Sequence, residues 1–353
     1  MHLLKAQTAT PEDAGEAIDL AQTPGDIVVL SAADTELACL AAAQARRTPD
    51  APALRLANLL QLGHPMSVDL YVEQVVTRAR LVILRLLGGR SYWPYGLEQV
   101  AGACRAGGIQ LAALPGDDQP DPELRAWSTL PPDVCHRLWQ YLVHGGLDNA
   151  GQLLACAAGL LGRSEAWREP APLLRAGLYW PGRSSPDLDG VRAHWQGGRP
   201  VAALVFYRAL VQAGDLEVVD ALIAALGEVG LNALPVFAAS LKDPIAAPLV
   251  REWLGQAEPA VVLNATGFAV SSPGAWRPTP LDQPDRPVLQ VVLSGGSEEG
   301  WRAGTRGLSA RDLAMNVALP EIDGRVLGRA VAFKARKRFD PATESNVVGF
   351  APA

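Results

Sequence analysis

Apolar positions along this chain fall into two alternating patterns. Short, nearly unbroken apolar runs such as LRLAN (54–58) and LVILRL (81–86) have the length of strands and are apolar on both faces, as strands buried in a parallel sheet are. Between them, residues 68–79 return apolar side chains at helical spacing, so residues 54–96 read as a strand–helix–strand unit. Around this unit the pattern predicts a first helix opening at Pro11-Glu12-Asp13, a strand over 27–30 and an alanine-rich helix over 34–46 capped by Ser31 or Asp34. A further helix begins at Pro94 and is stopped by Gly107-Gly108, and a strand covers 109–114. Residues 115–122 break the alternation. Beyond them, 123–127, 131–143 and 147–161 are helical in pattern, with Trp139, Leu142, Leu153 and Leu160 as core candidates, and 163–172 read as a polar linker. A second alternating series follows, with strands over 176–180, 201–207, 233–237, 260–263, 288–293 and 326–333. Its helices cover 216–229, 245–254 and 310–317, residues 181–200 form a loop, and 340–353 run out without periodicity. Strands alternating with helices through short links imply an α/β fold: two Rossmann-like or flavodoxin-like units with mostly parallel sheets, joined by a helical insert. The expected boundaries are 1–118, 119–172 and 173–353.

In open parallel sheets, ligands bind where strands end at their carboxyl side, so the loops after the strands are the places to look for chemistry. After 54–58 comes Gly63-His64-Pro65-Met66-Ser67. Ser67 suits the cap of the next helix and Asp69 its first turn, while His64 either packs in the loop or presents a neutral imidazole to a metal or ligand. After 81–86 comes Gly88-Gly89-Arg90-Ser91-Tyr92-Trp93. Arg85, inside an apolar strand, needs an acceptor, because an unpaired buried charge is costly. Two readings stand: a structural ion pair with Asp69 or Glu73, or a fork formed with Arg90 for a carboxylate, with aromatic planes beside a flat ring. In the second series the loops 208–215, 238–244 and 264–274 occupy the equivalent ends. Asn264, Thr266 and Gly267 are placed to hydrogen-bond at a crevice there, and Lys242-Asp243-Pro244 reads as a turn. Ser294-Gly295-Gly296-Ser297 is either an anion-binding nest or an ordinary loop.

Composition narrows the partners. The net charge of −6 removes nucleic acid as the main partner, since phosphate neutralisation needs a basic face. The basic run Lys334-Ala335-Arg336-Lys337-Arg338 reads as a solvated surface. Cys39, Cys104, Cys135 and Cys156 are far apart with no C-x-x-C, as in reduced cytoplasmic proteins. No signal-peptide layout opens the chain, and the longest apolar run, 153–161, is too short to span a bilayer. A P-loop, a G-x-G-x-x-G turn and a G-x-S-x-G elbow are all missing, and the five histidines form no compact ligand cluster.

The strings LRLANLLQLGHPMSVDLYVE (54–73), RLLGGRSYWPYG (85–96) and LPGDDQPDPEL (114–124) resemble the amino-terminal region of the aerobic cobaltochelatase large-subunit family, the CobN type. VAALVFYRALVQAGD (201–215), PVFAASLKDP (235–244), VLNATGFA (262–269) and ARDLAMNVALPEIDG (310–324) resemble the same family, and parts resemble the large subunit of magnesium chelatase. LLGGRSYWPYG favours the cobalt branch. The resemblance implies insertion of Co²⁺, as substrate metal, into hydrogenobyrinic acid a,c-diamide in the aerobic route to cobalamin. It implies that ATP is hydrolysed by two smaller partner subunits, one an AAA+ motor, and not by this chain. It further implies that Arg85, Gly88, Gly89, Arg90, Tyr92, Tyr207, Asn264, Thr266 and Gly267 are suited to grip the corrin, and His64 to meet the metal. The family's large subunit is several times longer, so the chain is expected to be an amino-terminal fragment, inactive alone and cytoplasmic. Rival readings are a scaffold that docks the ATPase subunits without touching corrin, a two-lobed small-molecule binding module, and the porphyrin-binding magnesium branch.

Overall fold

A computed structural model describes residues 17–183, 185–282, 286–305 and 307–353. The helix expected at Pro11 lies outside the described residues. The chain divides into two compact units. One comprises the described residues through Leu173 with Gln212–Gly214 and Arg336–Val348; the other comprises Leu174–Val211, Asp215–Ala335 and Gly349–Ala353.

Four parallel strands make the first sheet: β1 (Ile27–Ser31), β2 (Leu54–Asn58), β3 (Leu81–Leu86) and β4 (Gln110–Pro115), in the order β2-β1-β3-β4. Their side chains alternate between two cores. Val29, Leu56 and Ile83 face the helices Asp34–Gln44, Pro132–His144 and Leu147–Leu160, with Leu138, Tyr141 and Leu153 buried among them. Val28, Leu84 and Leu86 face the helices Pro65–Gln74 and Pro94–Gly107. Covering both faces is what makes the strand sequences apolar throughout. The helices read as an insert thus complete the first core.

The second sheet runs β11-β10-β9-β8-β6-β7-β5. Its strands are β5 (Ala176–Leu178), β6 (Val201–Tyr207), β7 (Asn232–Ala238), β8 (Val261–Asn264), β9 (Val288–Ser294), β10 (Val326–Asp340) and β11 (Ser345–Pro352). β5 is antiparallel to β7, and β6 through β10 pair in parallel. The order β7-β6-β8-β9-β10 is flavodoxin-like, and the first sheet repeats its opening four-strand order. Among the parallel strands of each sheet the chain reverses its direction of growth once, so that the switch falls between β1 and β3 in the first and between β6 and β8 in the second.

Several expectations need correction. The crossover helix is Pro65–Gln74 followed by a 3₁₀ turn Val76–Arg78, because Pro65 starts it early. The helix Asp34–Gln44 has no side-chain cap. The last segment is not a tail: β10 extends to Asp340, and Ser345–Pro352 forms a strand beside it. Short helices Leu188–Arg192 and Arg208–Ala213 occupy stretches read as loops, and Glu298–Ala303 is a helix in a stretch given no element, each too short to show a period.

Residues 341–344, between β10 and β11, are anchored within the first unit. The Glu344 carboxylate accepts from the Thr23 N–H and hydroxyl, each at 2.6 Å, and pairs with Arg55 at 3.0 Å. Gln22 donates to the Glu344 and Leu56 carbonyls, and the Tyr71 hydroxyl donates to Gln22. Burial alone would raise the Glu344 pKa, but the two Thr23 donors and the Arg55 charge outweigh it and hold the group below its ordinary 4.5. A depressed carboxyl pKa adds stability that is complete above the unfolded value and is lost as pH falls through the folded one. Glu344→Gln should therefore cost about 1 kcal/mol at neutral pH. The gap to the parent chain should close on acidification below pH 4.5, as read by urea melts across pH.

Candidate functional site

The carboxyl end of β3 is shaped by glycine. Gly88 and Gly89 have φ of +83° and +68°, in the left-handed region that strains other residues. A Cβ on Gly89 would also lie 2.6 Å from Asp121 Oδ2. The chain then makes a 3₁₀ turn, Gly89–Tyr92, and enters the helix Pro94–Gly107. Trp93 is buried beneath the turn and donates its indole N–H to the Leu62 carbonyl at 2.9 Å, tying the β3 loop to the β2 loop. Gly96 lies against that indole, and a Cβ there would meet the ring at 2.0 Å. Gly96→Ala should cost about 2 kcal/mol despite its better helix propensity, a loss that thermal unfolding will show.

On this base the outward residues form a rim. Leu60, Met66, Tyr92 and Tyr95 are exposed apolar side chains at the ends of β2 and β3 or the starts of the helices that follow. Tyr95 donates to Asp69 at 2.6 Å, a bond that also raises its phenol pKa. Arg90 is half-exposed, pairs with Glu98 at 3.0 Å, and its guanidinium lies 5.5 Å from the Trp127 ring centre. Arg105 approaches the same ring at 5.3 Å. The rim thus presents aromatic faces and an accessible cation together.

Arg85 lies inside. Its side chain is 4% exposed and bonds Glu36, with further bonds to the Pro115 carbonyl at 3.2 Å and the Gly116 carbonyl at 3.0 Å. The ion-pair partner is therefore Glu36, not Asp69 or Glu73. Glu36 also accepts from the Ser31 hydroxyl at 2.6 Å. Sequence reading missed Glu36 because its partner lies 49 residues on, across the sheet, at a distance no local pattern encodes.

His64 corrects the capping expectation. Its Nδ1 accepts from the Met66 N–H at 3.1 Å, so His64 caps the helix Pro65–Gln74, whereas Ser67 is buried and accepts from the Ile18 N–H at 2.7 Å. An accepting Nδ1 puts the proton of the neutral ring on Nε2. Ligation through Nε2 requires that proton to move to Nδ1, which breaks the cap. Among the described residues no three or more His, Cys, Asp and Glu side chains gather as a metal site.

In the second unit, Tyr207, Asn264, Thr266 and Gly267 do come together. The Tyr207 hydroxyl donates to the Gly267 carbonyl at 2.9 Å, and burial pushes its pKa up to about 12. Asn264 donates to the Thr266 carbonyl and to Gln290, Thr266 donates back to Asn264, and Gln290 donates to the Thr266 carbonyl. Asn264 and Thr266 are almost wholly buried, so their bonds fix the loop after β8. Gln290, inside a strand pattern, gave no signal of this role.

The glycine loop after β9 is filled by the chain itself. The buried Asp312 carboxylate accepts from the Gly295 N–H and the Ser294 hydroxyl, each at 3.0 Å, and from the Ser309 hydroxyl at 2.9 Å. Asp243 similarly serves as a cap, accepting from the Ile245 and Ala246 N–H groups at 2.9 Å. The four cysteines are unpaired and buried, and burial raises the pKa of each thiol. No described helix is long and apolar enough to cross a membrane.

The sequence profile of CobN/magnesium chelatase matches residues 139–352, more than half of the chain. The chain belongs to the CobN/magnesium chelatase family. Within that family it is 50% identical to the aerobic cobaltochelatase subunit CobN of Sinorhizobium sp over its whole length, and 45% identical to that of Pseudomonas aeruginosa over 99% of it. It is 28% identical to a magnesium-chelatase subunit of Rhodobacter capsulatus over 69% of its length. The chain spans 28% of each of the two cobaltochelatase relatives. The catalytic subunit of cobaltochelatase from Mycobacterium tuberculosis superposes on 94% of this chain with a TM-score of 0.70 and 26% identity, and the match covers 26% of that subunit.

Proposed function

We propose that this chain is the amino-terminal portion of the large subunit of an ATP-dependent cobaltochelatase, and that it supplies part of the corrin cleft. The reaction is insertion of Co²⁺ into hydrogenobyrinic acid a,c-diamide, in the cytoplasm, during aerobic cobalamin synthesis. ATP is hydrolysed by two smaller partner subunits, one an AAA+ motor. Identities of 50% and 45% with cobaltochelatase relatives, against 28% with a magnesium-chelatase relative, support the cobalt branch.

The observation that carries the cleft reading is the rim at the carboxyl ends of β2 and β3, where Met66, Tyr92 and Tyr95 stand exposed beside half-exposed Arg90. A corrin is a broad, flat, mostly apolar ring bordered by carboxylate and amide arms. Aromatic faces suit its plane, and a guanidinium suits an arm. In this reading Arg90 and Tyr92 touch the ring, Gly88 and Gly89 bring the backbone close, and Arg85 holds the loop from below. Tyr207, Asn264, Thr266 and Gly267 shape the corresponding loop of the second unit. His64 reaches cobalt only by giving up its cap, so it meets the metal transiently. The ring must lose two N–H protons and be bent out of plane for the metal to enter, and rim contacts that hold the ring's edge serve that deformation.

Titration of the chain with hydrogenobyrinic acid a,c-diamide, followed by corrin absorbance, tests this. The expected result is saturable binding that weakens about tenfold or more in Arg90→Ala with Tyr92→Ala. Unchanged affinity in that variant removes the rim. Absence of corrin binding, together with capture of the ATPase subunits, would favour the scaffold reading.

A further inference from the structure

Among the described residues, Arg325 is a buried cation that the fold leaves incompletely satisfied. Its side chain is 2% exposed; Nη2 bonds Asp323 at 3.0 Å, while Nε and Nη1 have no acceptor. Asp323 is fully engaged, since it also accepts from the Val270 N–H at 2.7 Å and the Ser271 N–H at 2.8 Å. A buried guanidinium with two unbonded nitrogens is costly, and native structures rarely keep such a group without a reason.

Two further features fall on the same loop. Phe268 has a φ of +64°, a strained value for a bulky residue. Beside it the helix following Ala310–Leu313 widens into a π-turn, Ala314–Ala318, whose Met315 carbonyl accepts from the Phe268 N–H at 3.1 Å. Gly267 is pressed against that carbonyl: a Cβ there would lie 2.8 Å away. The strain, the π-turn and the unsatisfied cation all sit around residues 265–282, which follow β8 at the point where the second sheet reverses its direction of growth. Tyr207 and Asp282 are near enough to act electrostatically on Arg325.

We propose that the second unit holds a binding site for a carboxylate, anchored by Arg325 and covered by residues 265–282. A singly charged group fits better than phosphate. Asp323 and Asp282 already offset the guanidinium, and a dianion would meet both. The site does not depend on the ligand's identity. Naming that ligand as an arm of the corrin does rest on the cobaltochelatase reading, because that ring carries acetate- and propionate-type arms.

The probe is sodium propionate, added to the full 353-residue chain labelled with ¹⁵N at arginine. Sodium chloride and sodium phosphate at matched ionic strength serve as references. The expected result is one solvent-protected Nε–H resonance, assigned to Arg325 through its bonds, that shifts saturably with propionate and not with the reference salts. Arg325→Lys, if folded, should bind propionate about tenfold more weakly. The wild-type resonance decides the matter where that variant does not fold. A resonance indifferent to propionate, or one showing contact with a long-lived water only, overturns the site; a stronger response to phosphate overturns the ligand class. Hydrogenobyrinic acid a,c-diamide forms a second arm. If propionate shifts the resonance and the corrin does not bind, the site stands and the corrin reading falls. If the corrin binds by absorbance while the resonance stays still, the reverse holds.

Discussion

Glu36→Ala should destabilise the chain by about 3–5 kcal/mol, among the largest effects of any single substitution. It strands the Arg85 guanidinium at 4% exposure with only the Pro115 and Gly116 carbonyls for company. It also leaves the Ser31 hydroxyl without its carboxylate. Arg85→Ala should cost a similar amount, because the Glu36 carboxylate is then left largely buried and unpaired. Replacing both by apolar residues of similar volume should recover most of the loss, since a buried pair often adds little net stability over good packing. Urea unfolding of the parent chain, Glu36→Ala, Arg85→Ala and the double alanine variant closes a double-mutant cycle that measures the coupling directly, with the apolar pair compared beside it. Arg90→Ala separates structure from binding: at an exposed pair, it should leave stability within about 0.5 kcal/mol. A weakened ligand response in Arg90→Ala then reports contact, whereas one in Arg85→Ala reports a disordered loop.

Asp323→Ala should cost about as much, roughly 3–5 kcal/mol. Three groups lose their acceptor at once: Arg325 Nη2 and the Val270 and Ser271 N–H groups. Asp323→Asn keeps one carbonyl oxygen and should recover part of the loss. A loss below about 1 kcal/mol in thermal or urea unfolding would mean that other groups readily take over these three donors.

The sequence made the frame legible because its strands are buried on both faces. β2, β3 and β6 were bounded correctly from apolar runs alone, and Pro94 and Gly108 marked a helix start and stop that the structure keeps. Where burial is one-sided or the pattern is brief the reading failed, as at β11, whose residues are mostly half-exposed. The loops at the strand ends were legible as places but not as chemistry. Gly88-Gly89 stood out by type. Whether Arg85 or Arg90 faced outward depended on Glu36, which lies on a helix beyond β1, and on Glu98 one helix turn past Tyr95. The glycines of Ser294-Gly295-Gly296-Ser297 looked ready for an external anion, yet Asp312 fills that place from 18 residues away. Arg325 was invisible for the same reason: an arginine beside Asp323 and Gly324 reads as a surface turn, yet its side chain is 2% exposed and its partner Asp323 is bonded to Val270 and Ser271, more than 50 residues back. Residue type and local period carry the strands; long-range pairing of charges carries the sites.

The most direct test of the central claim is amide hydrogen exchange of the chain with and without hydrogenobyrinic acid a,c-diamide. If the rim at the ends of β2 and β3 receives the ring, exchange should slow over residues 59–66 and 87–95 while the core strands stay unchanged. Saturable corrin binding that leaves both segments exchanging at their free rates would contradict it.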